Sequence, residues 1–133
     1  MPGPHFFVDR SLGRKQVPVA LRNAGWDLVT LAEHYGIPAD QAVEDVTWLE
    51  LAGGHRWPVL MKDERIRYRP AERAAVIGHG VRAFYLTSGN LSGRQMADLF
   101  IANQSAIWNR AVEGGPALFA VSPSGVREIP LDD

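Results

Sequence analysis

The 133-residue chain is 46% hydrophobic and 22% charged, long enough to bury a core and ordinary in composition for a soluble globular protein. Its formal net charge of -1 gives the molecule as a whole no attraction for a polyanion, although a basic face can still lie beside an acidic pocket. With no cysteine, disulfides and thiolate zinc sites are excluded, so any metal takes oxygen or imidazole ligands. The opening Met1-Pro2-Gly3-Pro4-His5 lacks the basic and apolar regions of a secretory signal. No apolar run approaches the ~20 residues that span a bilayer. The expectation is a cytoplasmic protein without a membrane anchor, built as a single domain over 1–133.

In chain order, Phe6-Phe7-Val8 reads as a buried first strand ending at Asp9. The apolar positions Val17, Ala20, Leu21 and Ala24 recur at helical spacing within 14–24, and Gly25 suits the helix end. Pro18 fits only in the first turn, where its missing N–H costs nothing. Residues 26–31 read as a second strand, followed by a loop over 34–38. A helix is predicted from Val46 to Ala52, stopping at Gly53-Gly54. Pro58-Val59-Leu60-Met61 is a third strand leading into Lys62-Asp63. Residues 70–77 form a short helix with Pro70 in its first turn, 81–86 a fourth strand, and 92–112 one long amphipathic helix. Phe119-Ala120-Val121 and Val126-Arg127-Glu128-Ile129, joined by Pro123-Ser124-Gly125, form a terminal hairpin. Strands alternating with helices through short loops imply an α/β fold with a mainly parallel sheet.

In open sheets of this class, sites form beyond the carboxyl ends of the strands, where strand order reverses. Asp9 lies just past the first strand and Asp63 two residues past the third, so both belong to that edge. Asp45 opens a helix on the connection between the second and third strands. It is equally suited to cap that helix, and topology alone leaves it at either edge. Gathered carboxylates repel one another unless a cation neutralises them. Hard oxygen ligands without thiolates favour Mg²⁺ or Mn²⁺, ions that activate water and clamp phosphate oxygens.

Basic residues accompany the acids. Arg10, Arg14 and Lys15 follow Asp9, while Lys62, Arg65, Arg67 and Arg69 surround Asp63, in keeping with a phosphodiester substrate. Taken singly, each also fits a solvated surface. Thr87-Ser88-Gly89-Asn90 follows the fourth strand at the same edge, where Ser88 and Asn90 offer hydrogen bonds to phosphate, or Asn90 or Ser92 simply caps the next helix. His5, His34, His55 and His79 lack ligand spacing and read as surface or loop residues. Ser11-Leu12-Gly13-Arg14-Lys15 is not a phosphate-binding P-loop, since the Gly-Lys-Ser/Thr order is missing. Trp48, Trp57 and Trp108 are expected in the core or at an interface rather than as base-stacking platforms.

The segments Phe6-Phe7-Val8-Asp9-Arg10-Ser11-Leu12-Gly13, Glu44-Asp45-Val46-Thr47-Trp48, Val59-Leu60-Met61-Lys62-Asp63 and Phe84-Tyr85-Leu86-Thr87-Ser88-Gly89-Asn90-Leu91, in this order, resemble the PIN-like domains. The likeness runs over about 5–130 and is nearest to the VapC-type toxins of bacterial toxin–antitoxin pairs. It implies a Rossmann-like three-layer fold with a C-terminal β-hairpin, and a Mg²⁺- or Mn²⁺-dependent ribonuclease. Asp9, Asp45 and Asp63 match the family's metal-binding acids, with Lys62 counted in the catalytic set. Arg10, Arg14, Lys15, Arg65, Arg67 and Asn90 are then expected to hold RNA, with Glu44, Ser11 and Ser88 as auxiliaries. Glu44 or Asp45 serves as the helix-start acid.

The fourth acid of many PIN domains is absent, because 87–90 holds none. The resemblance further implies an antitoxin partner and allows a homodimer. Two competing readings stand beside it. One is a non-catalytic PIN-like module that binds RNA or protein; the other is a flavodoxin-shaped phosphohydrolase or phosphoacceptor domain.

Overall fold

A computed structural model describes residues 3–62 and 64–131, Glu64 through its backbone alone. Six strands form one sheet: β1 (His5–Val8), β2 (Asp27–Thr30), β3 (Val59–Met61), β4 (Arg82–Leu86), β5 (Ala117–Ser122) and β6 (Gly125–Ile129). The spatial order is β2-β1-β3-β4-β5-β6. The first five strands pair in parallel and β6 returns antiparallel to β5, giving the expected mainly parallel sheet with a terminal hairpin. Six α-helices accompany them among the described residues, besides short 3₁₀ turns: α1 (Gln16–Asn23), α2 (Leu31–Tyr35), α3 (Asp45–His55), α4 (Pro70–His79), α5 (Gly93–Ala102) and α6 (Gln104–Ala111).

Both faces of the sheet are covered, so the strands read as continuous apolar runs rather than alternating ones. On one face Phe6, Val8, Leu60 and Phe84 pack with Val17 and Leu21 of α1, Phe100 of α5 and Ile107 of α6. On the other, Phe7, Val59, Met61 and Tyr85 pack with Trp48, Leu49 and Ala52 of α3 and Val76 of α4. Phe6 and Phe7 thus serve opposite cores because successive side chains of a strand point to opposite faces. Strand order reverses between β1 and β3, with Val8 opposite Leu60 across the pair. The rule for open sheets places a binding crevice there, at the carboxyl ends. Among the described residues no helix is long and apolar enough to cross a membrane.

Three predicted elements differ from the structure. The second strand stops at Thr30, and Leu31, expected in that strand, begins α2, which runs into the segment expected as a loop. Thr30 Oγ1 accepts from Glu33 N–H at 3.0 Å while Glu33 accepts from Thr30 N–H at 2.9 Å, a capping box that starts the helix. The helix predicted to stop at Gly53-Gly54 continues to His55 and ends on Arg56 in the left-handed region. Gly53 serves helix packing instead: a Cβ there would lie 2.4 Å from the His79 carbonyl oxygen of α4. The single long helix breaks at Asn103 into α5 and α6. The Asn103 amide donates to Leu99 O at 2.9 Å and to Ser122 O at 3.2 Å, satisfying a carbonyl at the end of α5 and tying the break to β5.

Arg22 clasps Glu33 with bonds of 2.8 and 2.7 Å, holding α1 against the start of α2. This guanidinium lowers the Glu33 pKa from its ordinary 4.5. A depressed carboxylate contributes stability above its unfolded pKa and loses it as pH falls through the folded value. Glu33→Gln keeps a capping side chain and is expected to cost under about 1 kcal/mol at neutral pH, because both partners are half exposed. The gap to wild type should close below pH 4.5 in urea titrations; a gap independent of pH would contradict this pairing.

Candidate active site at the β1–β3 switch point

Asp9 follows β1 and is buried, 4% exposed. Its N–H donates to Leu60 O at 3.1 Å, which fixes the backbone across the switch point. Its Oδ2 accepts from the Ser11 hydroxyl at 2.7 Å and from Ser11 N–H at 3.3 Å. The Ser11 Oγ in turn accepts from Lys62 N–H at 3.0 Å. One serine therefore links the ends of β1 and β3 and sets the Asp9 carboxyl. The other oxygen, Oδ1, is buried with no hydrogen-bond partner among the described residues. Burial raises the Asp9 pKa; the Ser11 hydroxyl bond opposes this, and the charge of Asp45 adds to the rise.

Asp45 is the first residue of α3, with Glu44 at the cap position making no side-chain capping bond. The capping role open to Asp45 in the sequence is not the one its side chain takes. Its Oδ1 accepts from the Trp48 indole N–H at 2.9 Å, and Trp48 is fully buried and stacked on Phe7. Asp45 Oδ2 lies 4.0 Å from the Arg69 guanidinium, which also bonds Glu72 Oε1 at 3.2 Å. The pKa of Glu72 is raised, first by burial and next by a hydrogen bond shared with Asp45.

Glu72 is thus a site neighbour that the sequence reading did not single out, and Trp48, expected only for its burial, also holds Asp45. Trp48 stands three residues after Asp45 on the same helical face, a spacing that could have found it. Glu72 comes from α4, and nothing in its local sequence points at Asp45.

The structure brings Asp9, Asp45, Ser11 and the Lys62 backbone to one edge, with Arg69 and Glu72 beside Asp45. Asp63, the third predicted metal ligand, lies outside the described residues. Among the described residues, no three His, Asp or Glu side chains stand close enough to hold one ion. Asp9 and Asp45 nevertheless suit a hard cation. A buried carboxylate with an orphaned oxygen, close enough to a second carboxylate to feel its charge, is an arrangement a divalent ion relieves.

Arg14 and Arg10, both expected to contact RNA, are occupied by the protein. Arg14 makes three bonds of 2.8–3.1 Å to the carboxylate of Asp40, which is 3% exposed. Arg10 reaches the carbonyls of Asp40 and Val43, bracing the segment that leads into Asp45. Lys15 is exposed ahead of α1, Arg65 is exposed, and Arg67 lies over the Tyr68 ring. Ser88 is half-buried and Asn90 exposed with a φ of 50°. Neither hydrogen-bonds Asp9 or Asp45 among the described residues, and the Thr87 N–H donates to Val121 O.

A cavity of about 390 Å³ opens beside Asp9, lined by Arg10, Arg14, Thr30 and Asp40. A larger one, about 850 Å³, sits at the opposite edge of the sheet among His5, His55, Trp57 and His79. The larger volume holds no gathered carboxylates, so the chemistry favours the smaller.

The PIN like domain family matches residues 4–88, most of the sheet and both described acids. A curated protein of Mycobacterium tuberculosis (strain ATCC 25618 / H37Rv), named "Putative ribonuclease VapC45", is 39% identical over 125 residues, covering 94% of this chain and 91% of that protein. No solved structure gives a significant match. A mainly parallel sheet with aspartates at its switch point, a family match across the first four strands and a relative aligned over nearly its full length agree: the chain belongs to the PIN-like domain family, in its VapC type.

Proposed function

We propose that the protein is a Mg²⁺- or Mn²⁺-dependent endoribonuclease, the toxin of a toxin–antitoxin pair, with Asp9, Asp45 and Asp63 as its metal-binding acids. The observation that carries this reading is the orphaned, buried Oδ1 of Asp9 at the switch point, with Asp45 close enough to raise its pKa. The ribonuclease name of the Mycobacterium tuberculosis relative supplies the substrate class. The bound ion would supply Lewis-acid polarisation of a phosphodiester oxygen and a stronger nucleophile from water at neutral pH. Ser11 keeps Asp9 Oδ2 engaged, leaving Oδ1 for the cation. Trp48 holds one oxygen of Asp45 and so limits its rotation. The Lys62 and Arg65 side chains are the cations for the substrate phosphate. An antitoxin that covers this edge would silence the site in the cytoplasm.

The test is cleavage of single-stranded RNA by the full chain in Mn²⁺, Mg²⁺ or EDTA, with Asp45→Asn in parallel. Cleavage in either metal, none in EDTA and severe loss in Asp45→Asn are expected. Cleavage that persists in EDTA would sink metal dependence. RNA binding without cleavage under every metal condition would favour the non-catalytic reading, to which the acid-free segment 87–90 already lends weight.

A further inference from the structure

Tyr68 is 66% exposed, unusual for an aromatic ring so close to the site. It is not on a loose loop. Ile66, 3% exposed, plugs the segment into the core beneath α3 and α4. Tyr68 N–H donates to Arg65 O at 2.9 Å, and the Arg73 guanidinium donates to Arg67 O at 3.0 Å. Ile66 sits in a single 3₁₀ turn over Glu64–Arg67, Tyr68 follows it facing solvent, and the Arg67 guanidinium stands 5.0 Å from the ring centroid. The next residue, Arg69, lies 4.0 Å from Asp45. A fixed, solvent-facing ring is therefore presented one residue from a side chain that contacts the acidic site.

We propose that Tyr68 is a stacking platform for a base of single-stranded RNA, placed beside the acids with Arg67 as its cationic neighbour. The inference rests on the ribonuclease reading above and adds a residue that would hold a base of the substrate. Alternating aromatic and cationic groups are the means by which proteins hold single strands: bases stack on rings and arginines follow the backbone. Three arginines fall within five residues, and while Arg69 is engaged by Asp45 and Glu72, Arg67 stands beside the ring itself. A protein partner would want contiguous apolar surface instead. The other exposed large apolar residues, Val19, Ile37, Ile77 and Val112, belong to other segments of the chain. A duplex keeps its bases stacked inside and offers this ring nothing.

The experiment is fluorescence anisotropy with the full chain in EDTA, which suppresses cleavage, and a labelled RNA of about 12 nucleotides, single-stranded or annealed. Tyr68→Ala is expected to bind the single strand about five- to a hundredfold more weakly, while Tyr68→Phe and Tyr68→Trp stay within about twofold of wild type. Wild type and Tyr68→Ala should bind the duplex alike. Unchanged single-strand binding by Tyr68→Ala would overturn the inference and leave the ribonuclease reading standing. So would an equal loss on the duplex, or a loss confined to a protein antitoxin. Wild type that binds no RNA would overturn both.

Discussion

Asp9→Asn is expected to lower metal-dependent RNA cleavage by about a hundredfold to a thousandfold or more, the scale on which removal of one preorganised electrostatic group acts. The fold should survive. An amide oxygen still accepts from Ser11, and the backbone bond from Asp9 N–H to Leu60 O is untouched. The charge is what disappears, and with it the oxygen that has no partner among the described residues. The effect should also be visible without RNA. Wild-type protein should gain thermal stability from millimolar Mn²⁺, since a ligand that binds only the folded state stabilises it by mass action. Asp9→Asn should gain none. Full cleavage by a folded Asp9→Asn protein would remove this residue from the site.

Arg14→Ala should destabilise the fold by about 2–3 kcal/mol, lowering the melting temperature by roughly 8–12 °C. The cause is not a lost surface contact. Asp40 is 3% exposed, and Arg14 meets both of its oxygens. Removing the guanidinium strands a buried carboxylate, which costs more than the pair contributes. The half-exposed Arg14 side chain lets water reach that carboxylate, which keeps the loss below the full range for a buried pair. The double variant Arg14→Ala/Asp40→Asn should recover part of the loss, because the stranded charge is gone. Calorimetric melts of the three proteins measure this. A double variant no more stable than Arg14→Ala would show that the pair is not the source.

Much of the fold was legible because the strands are short apolar runs bounded by turn residues, and two-sided burial demands that pattern. Asp9 was legible for a related reason: a charged residue at the end of such a run must lie at the sheet's carboxyl edge. The capping box at Thr30 and Glu33 was present in the sequence as Thr-x-x-Glu, yet the β-branched residues before it drew the second strand one residue too far. Gly53 misled for the opposite reason. A helix stop and a close helix contact both call for glycine, and only the neighbouring His79 carbonyl tells them apart. Arg14 and Arg10 show the limit most clearly. Local sequence marks them as basic residues near an acid, but their partners are 26 to 33 positions away, on the connection ahead of Asp45. Glu72 lies 27 positions from Asp45 and was invisible for the same reason.

The central claim is that Asp9 and Asp45 hold a divalent ion at the β1–β3 switch point. Calorimetric titration of metal-free wild-type protein and Asp9→Asn with Mn²⁺ tests it most directly, since it needs neither the RNA target nor the antitoxin. Saturable binding by wild type, lost in a folded Asp9→Asn protein, is the predicted result. Equal binding by the two proteins, or none by wild type up to millimolar Mn²⁺, would contradict it.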